Sequence, residues 1–229
     1  MDKFIYKKSA GITALSASIT NFTYKKHSHL EYAIGVTLRG IQQYNLDGNL
    51  QLSYQNGVML LEVMEKKDIV RFSTPIVYDY KLEQRILSLS NAILSEKDEA
   101  LCSELLVSLT DSLMQTNLST DYKKDNALIR KAKDIIHSNL ENVLKLDEMC
   151  KELNLSKFQF IRLFNVHTGI SPYQYILNCK IERAKQLIEK NGDIYSAVAE
   201  YGFVDLSHLN KHFKSVYGTT AFEYMSHLN

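Results

Sequence analysis

The stretch from Leu146 to Tyr224 constrains this chain most, because one helical unit is written in it twice. The first copy reads L-D-E-M-C-K-E-L-N-L-S-K-F-Q-F-I-R-L-F-N-V-H-T-G and the second Y-S-A-V-A-E-Y-G-F-V-D-L-S-H-L-N-K-H-F-K-S-V-Y-G. Set side by side, Met149 falls on Val198, Cys150 on Ala199, Phe160 on Leu209, Arg162 on Lys211, Phe164 on Phe213 and Gly169 on Gly218. The offset is constant at about 49 residues, the mark of a duplicated supersecondary unit. Each copy is a short apolar helix, a tight turn and a second helix that opens at a polar cap. That is the sequence form of a helix-turn-helix.

Inside each second helix the same logic repeats. Ser156 is a good N-cap, since its hydroxyl can accept a backbone N–H of the first turn. Phe160, Leu163 and Phe164 recur at i, i+3 and i+4 and make one buried stripe, which leaves Lys157, Phe158, Gln159, Ile161 and Arg162 facing outward. In the second copy Asp205 is the cap, Leu209 and Phe213 carry the stripe, and Leu206, Ser207, His208, Asn210 and Lys211 face outward. A helix that shows basic and amide side chains beside apolar ones suits a DNA major groove. There Arg or Lys pairs with guanine, Asn or Gln with adenine, and apolar groups meet the thymine methyl.

These residues resemble the DNA-binding domain of the AraC/XylS transcription regulators, two helix-turn-helix motifs joined by one long helix. The matching strings are L-D-E-M-C-K-E-L-N-L-S (146–156), L-F-N-V-H-T-G-I-S-P-Y-Q-Y (163–175), K-I-E-R-A-K-Q-L-I (180–188) and A-E-Y-G-F-V-D-L-S-H-L-N-K-H-F-K (199–214). The last, with Gly202-Phe203 opening its turn, is the most specific. One departure is Thr220-Ala221, where the family usually has Thr-Pro. The resemblance implies a regulator, activator rather than repressor, whose contacts with double-stranded DNA come from Lys157, Phe158, Gln159, Ile161, Arg162, Ser207, His208, Asn210 and Lys211. It also implies RNA polymerase as a partner. Lys180, Arg183 and Lys185, on the connecting helix, are expected to support the motifs rather than read bases.

Phe4 to about Val63 is strand-like. I-T-A-L-S-A-S-I, Y-A-I-G-V-T-L and L-Q-L-S-Y alternate or carry β-branched and aromatic residues, and predict five or six strands in an antiparallel meander. Asp47-Gly48 favours a type I′ hairpin turn, and Gln55-Asn56-Gly57 marks a second turn. The string H-S-H-L-E-Y-A-I-G, with Gly40, Asp47-Gly48 and G-V-M-L-L, resembles the start of the cupin-like sensing domain of AraC-type regulators. That resemblance assigns His27 and His29 to a small-molecule effector. After Leu61 the chain is expected to pass directly into V-M-E-K-K-D-I-V and helix, a domain short by about two strands whose barrel need not close. Open edges of that kind invite pairing with another chain.

From Tyr78 to Asn117 two amphipathic helices are predicted, one on Leu82, Ile86, Leu89 and Ile93, the other on Leu101, Leu105, Leu109 and Leu113. They either cover the sheet or, as the resemblance implies, carry a homodimer contact. The polar run 119–126 suits a linker. The fold class is therefore α+β. Residues 1–118 form a truncated, cupin-like antiparallel sheet or barrel with two helices, and 127–229 form an all-α domain of two helix-turn-helix motifs.

Composition excludes rather than selects. The formal net charge is +1, with 12 basic against 13 acidic residues up to residue 120 and 15 against 13 after it. Phosphate attraction must then come from local display, and a shallow salt dependence is expected. Cys102, Cys150 and Cys179 lack disulfide or metal spacing and suit a reducing compartment. No apolar run approaches a bilayer span, and no signal peptide opens the chain, so a cytoplasmic protein is expected. His27 and His29 have no further ligand histidine after residue 60, so no metal and no cofactor is expected. No Ser/His/Asp set or Gly-rich phosphate loop points to an enzyme. The rival reading is an interaction protein that pairs with full-length relatives as an inactive heterodimer.

Overall fold

The computed structural model describes residues 2–24, 31–46, 49–61, 75–115, 126–142 and 144–228. The chain divides into two compact units, one formed mainly by Met1–Phe22 and His29–Asp121, the other mainly by Tyr122–Ser226.

In the first unit β1 (Lys3–Ser9) and β2 (Ile12–Ser18) form an antiparallel hairpin that closes at Ser9 opposite Ile12. Ala10 and Gly11 between them have φ of 50° and 73°. A two-residue loop of this type needs positive φ at both positions, which glycine accepts and alanine resists. β3 (Ala33–Val36), β6 (Val58–Leu61) and β7 (Ile76–Val77) make a second antiparallel sheet, and β4 (Ile41–Leu46) pairs with β5 (Asn49–Tyr54) in a third. Leu46 lies opposite Asn49, so two residues separate the strands where Asp47-Gly48 predicts a turn. The Gln55–Gly57 turn is present, with Asn56 at φ 64°. A Cβ on Gly57 would sit 2.5 Å from Ser53 Oγ, so the turn admits only glycine.

Among the described residues these three sheets do not join into a closed barrel. The expected direct passage from Leu61 into helix is corrected by β7, which pairs with β6 and is anchored where the Leu60 N–H donates to the Pro75 carbonyl at 2.9 Å. A two-residue strand shows no periodicity of its own, so only its pairing reveals it.

Helix α1 (Tyr80–Leu94) starts at Asp79, whose carboxylate accepts the N–H groups of Lys81 and Leu82. It buries Leu82, Ile86, Leu89 and Ile93 as predicted. In α2 (Glu99–Gln115) Cys102, Leu109 and Leu113 are buried, but Leu101 is exposed. The cause is spacing. Steps of 4, 3 and 4 keep α1's stripe in register with 3.6 residues per turn, whereas three steps of 4 rotate Leu101 out by roughly 120°. Cys102 takes its place beside Val58, Leu60 and α1 in this unit's core.

The second unit is helical throughout: α3 (Ala127–His137), α4 (Leu146–Glu152), α5 (Lys157–Thr168), α6 (Pro172–Asn191), α7 (Ile194–Glu200), α8 (Leu206–Tyr217) and α9 (Ala221–Leu228). Asn126, the last residue of the expected linker, is the N-cap of α3; 119–125 lie outside the described residues. Ile129, Ile136, Met149, Cys150, Phe160, Phe164, Tyr175 and Cys179 share one core, with the Phe164 and Tyr175 rings edge-on at 5.3 Å. All three cysteines are buried and unbridged, as small apolar residues. No helix among the described residues is long and apolar enough to cross a membrane.

Candidate nucleic-acid interface

Helix α5 is started by a capping box. The Gln159 N–H donates to Ser156 Oγ at 3.3 Å, and Gln159 Oε1 accepts from the Ser156 N–H at 3.0 Å. Gly169, at φ 71°, ends the helix in the left-handed conformation that a Cβ would disfavour. Phe160 and Phe164 are fully buried, which turns Phe158, Arg162 and Asn165 outward along one row at i, i+4 and i+7. Phe158 is 74% exposed, so it is not a core aromatic. Ile161 flanks the row, and Arg162 has no ion-pair partner among the described residues.

Helix α8 is built the same way. Its N-cap is Asp205, whose carboxylate accepts the His208 N–H at 2.7 Å, and Gly218 ends it at φ 78°. Leu209, Phe213, Val216 and Tyr217 are buried, and Ser207, Lys211 and Lys214 form the outward row. Asn165 and Lys214 are members that the sequence reading missed. One further helical turn added to the pattern would have found both.

The remaining expected contact residues are bound to the protein itself. Lys157 Nζ pairs with Asp147 at 2.8 Å, and the hydrogen bond and charge of that carboxylate push the ammonium pKa up. Gln159 is in the capping box. His208 is half-buried, with its ring edge-on to Phe203 and His212, and its Nδ1 accepts the Val204 N–H at 3.4 Å. Asn210 turns its Oδ1 to the N–H of Ala221, 3.0 Å away.

The two copies are not offset uniformly. The second helices of the two copies, α5 and α8, do match at 49, since Phe160 bonds back to Ser156 as Leu209 does to Asp205. The first helices match at 48, because Leu155 N–H bonds to Cys150 O and Phe203 N–H to Val198 O. Likewise the left-handed turn residues are Asn154, at φ 53°, and Gly202, at φ 65°. Met149 therefore corresponds to Ala197, not Val198, and both are buried. Val204 is the extra residue, 85% exposed just before α8.

The connecting helix α6 supports both motifs. Lys180 Nζ donates to the carbonyls of Tyr201 and Asn142, and burial pulls its ammonium pKa down. Lys185 is buried and pairs with Glu182 at 3.5 Å and Glu189 at 3.7 Å. Arg183 bonds Gln186. The carboxylate caps at α7 (Asp193) and α8 (Asp205) put negative charge where a phosphate would sit at a helix N-terminus.

His27 and His29 lie outside the described residues. An open groove of about 480 Å³ lies between α1 and α2, lined by Arg85, Glu104, Val107, Ser108, Asp111 and Gln115. Among the described residues no three His, Cys, Asp or Glu side chains are grouped to hold a metal.

Two family descriptions match the chain in succession, an AraC-like ligand binding domain over residues 9–78 and a helix-turn-helix domain over residues 149–227. The chain belongs to the AraC family of transcriptional regulators. Its AraC-type relatives are DNA-binding regulators and not enzymes. A probable transcriptional regulator of Photobacterium leiognathi, LumQ, is 26% identical over 192 residues, covering 79% of this chain and 77% of LumQ. The Msm operon regulatory protein of Streptococcus mutans is 27% identical over 138 residues, covering 58% of this chain and half of that protein. An apo variant of ToxT from Vibrio cholerae shares the AraC-type fold, with a TM-score of 0.62 at 12% identity, covering all of this chain and 97% of ToxT.

Proposed function

We propose that this regulator recognises a specific bipartite DNA site by placing α5 and α8 in two adjacent major-groove segments. The observation that carries the reading is the matched pair of solvent-facing rows, Phe158–Arg162–Asn165 and Ser207–Lys211–Lys214, on equivalent helices. Arg162 and Lys211 supply the charged donors for guanine or phosphate, and Phe158 and Ile161 the apolar contact for a thymine methyl. Val204 extends the second apolar edge. Lys157, Gln159, His208 and Asn210 stand at the margins of these rows, each with a bond inside the protein that sets its orientation. The 20 residues of α6 span about 30 Å, close to one turn of DNA.

Activation through RNA polymerase, a homodimer contact in the first unit and control by a small-molecule effector complete the reading. Support for an effector comes from the AraC-like ligand binding domain match and from ToxT, one structure of which holds an unsaturated fatty acid. In vitro selection from random duplex DNA with the full chain tests the proposal. Two enriched segments about one helical turn apart are the expected result. Failure to enrich any site overturns it and favours the heterodimer with full-length relatives.

A further inference from the structure

We infer that Asn210 is a base-reading residue withheld from the groove by the protein's own backbone, so that the Asn210–Ala221 pair decides whether α8 can recognise adenine. The inference rests on the proposed DNA reading by α8. Asn210 is half-buried on the flank of the outward row, between Ser207 and Lys211 in sequence. Recognition of adenine by an asparagine is bidentate, Oδ1 accepting from N6 while Nδ2 donates to N7. Here Oδ1 accepts the Ala221 N–H at 3.0 Å instead. A carboxamide held this way keeps its donor end and loses the two-point match.

The start of α9 explains why the bond persists. A helix leaves its first N–H groups without intrahelical acceptors. The Glu223 N–H is taken by Thr220 Oγ1 at 3.2 Å, and Glu223 Oε2 in return accepts the Thr220 N–H at 2.9 Å and the Thr219 hydroxyl at 2.8 Å. This box leaves the Ala221 N–H to Asn210. Ala221 is fully buried, so breaking the bond would strand a donor away from water. Proline at 221 has no N–H to satisfy, its φ suits the first helical position, and its Cδ would occupy the direction now pointing at Oδ1. Ala221→Pro therefore frees the carboxamide.

The test uses the full chain as wild type, Asn210→Ala, Ala221→Pro and the double variant, with thermal unfolding and selection from random duplex DNA on each. Asn210→Ala should lower the unfolding midpoint yet leave every base preference unchanged. In the Ala221→Pro background the same substitution should no longer lower the midpoint. Ala221→Pro should gain about a tenfold preference for adenine at one position of the second segment, and the double variant should lose it. The inference is overturned if Asn210→Ala alone relaxes a position, because Asn210 would then already read. It is equally overturned if folded Ala221→Pro selects the wild-type site. Failure of Ala221→Pro to fold also overturns the inference, which requires that α9 can start without the Asn210 bond. A wild type that selects no DNA overturns the parent reading, and that result is recognisable without any variant.

Discussion

The Tyr224 hydroxyl donates to Glu189 Oε1 at 2.5 Å and ties α9 to the connecting helix α6. The Tyr217 hydroxyl makes the same kind of bond from α8 to Glu182, and Lys185 lies between the two carboxylates with its ammonium 5.7 Å from the Tyr217 ring. All of these side chains pack inside the second unit. Taking the cation out would leave two inward-facing carboxylates facing one another. Lys185→Met should therefore cost about 3–5 kcal/mol of stability, read by denaturant unfolding. A loss below 1 kcal/mol would mean that water reaches the network.

Arg162→Ala should weaken binding to the selected site by about 1–3 kcal/mol and relax one base position. Competition binding against single-base variants of the site reads this directly. An equal loss on every sequence would assign Arg162 to phosphate alone.

Ser156→Ala removes one half of the capping box at α5 and should destabilise the protein by about 1 kcal/mol. The comparison is with Ser207→Ala, an exposed position inside α8 that makes no cap, where thermal unfolding should scarcely change.

Ala10 holds φ 50° in a turn whose neighbour Gly11 is at 73°. Asparagine tolerates this region better, so Ala10→Asn should stabilise by about 0.5–1 kcal/mol. A lowered unfolding midpoint would show that the β1–β2 hairpin does not hold that geometry in solution.

The caps of α7 and α9 make stability depend on pH. Hydrogen bonds from Ser196 hold the Asp193 carboxyl below its ordinary value, and those from the Thr220 N–H, then from the Thr219 and Thr220 hydroxyls, do the same for Glu223. A carboxyl that is more acidic when folded takes up protons more readily in the unfolded chain. Its contribution is complete above the ordinary carboxylate range and declines as pH falls through the lowered values, from about pH 5 downward. Asp193→Asn and Glu223→Gln should each lower stability at pH 7 and flatten the acid decline. Unfolding midpoints measured from pH 7 to pH 3 would show it, and a variant curve parallel to wild type would remove that cap from the account.

Much of the helical unit is legible in the sequence. Ser156, Asp205, Gly169 and Gly218 announce where α5 and α8 begin and end, since capping chemistry acts within a few residues. Phe160, Phe164, Leu209 and Phe213 announce which face is buried. The first unit was less legible. A strand as short as β7 carries no period, and the steps of four from Leu101 to Leu113 suggest a stripe that the helix itself turns away from the core.

The sequence alone determined the duplicated motif, its caps, its buried stripes and the family, because each rests on local periodicity or on residue types with one strong backbone preference. Only the tertiary structure decided that the first helices match at 48 rather than 49, that Val204 is the extra residue, and that Asn210 serves α9. It alone brought the Tyr217 and Tyr224 hydroxyls onto the two carboxylates beside Lys185. The Asn210, Tyr217 and Tyr224 bonds join elements across 11 to 35 residues of chain, and which polar group satisfies which is fixed by packing, when each buried N–H and carboxylate must find a partner.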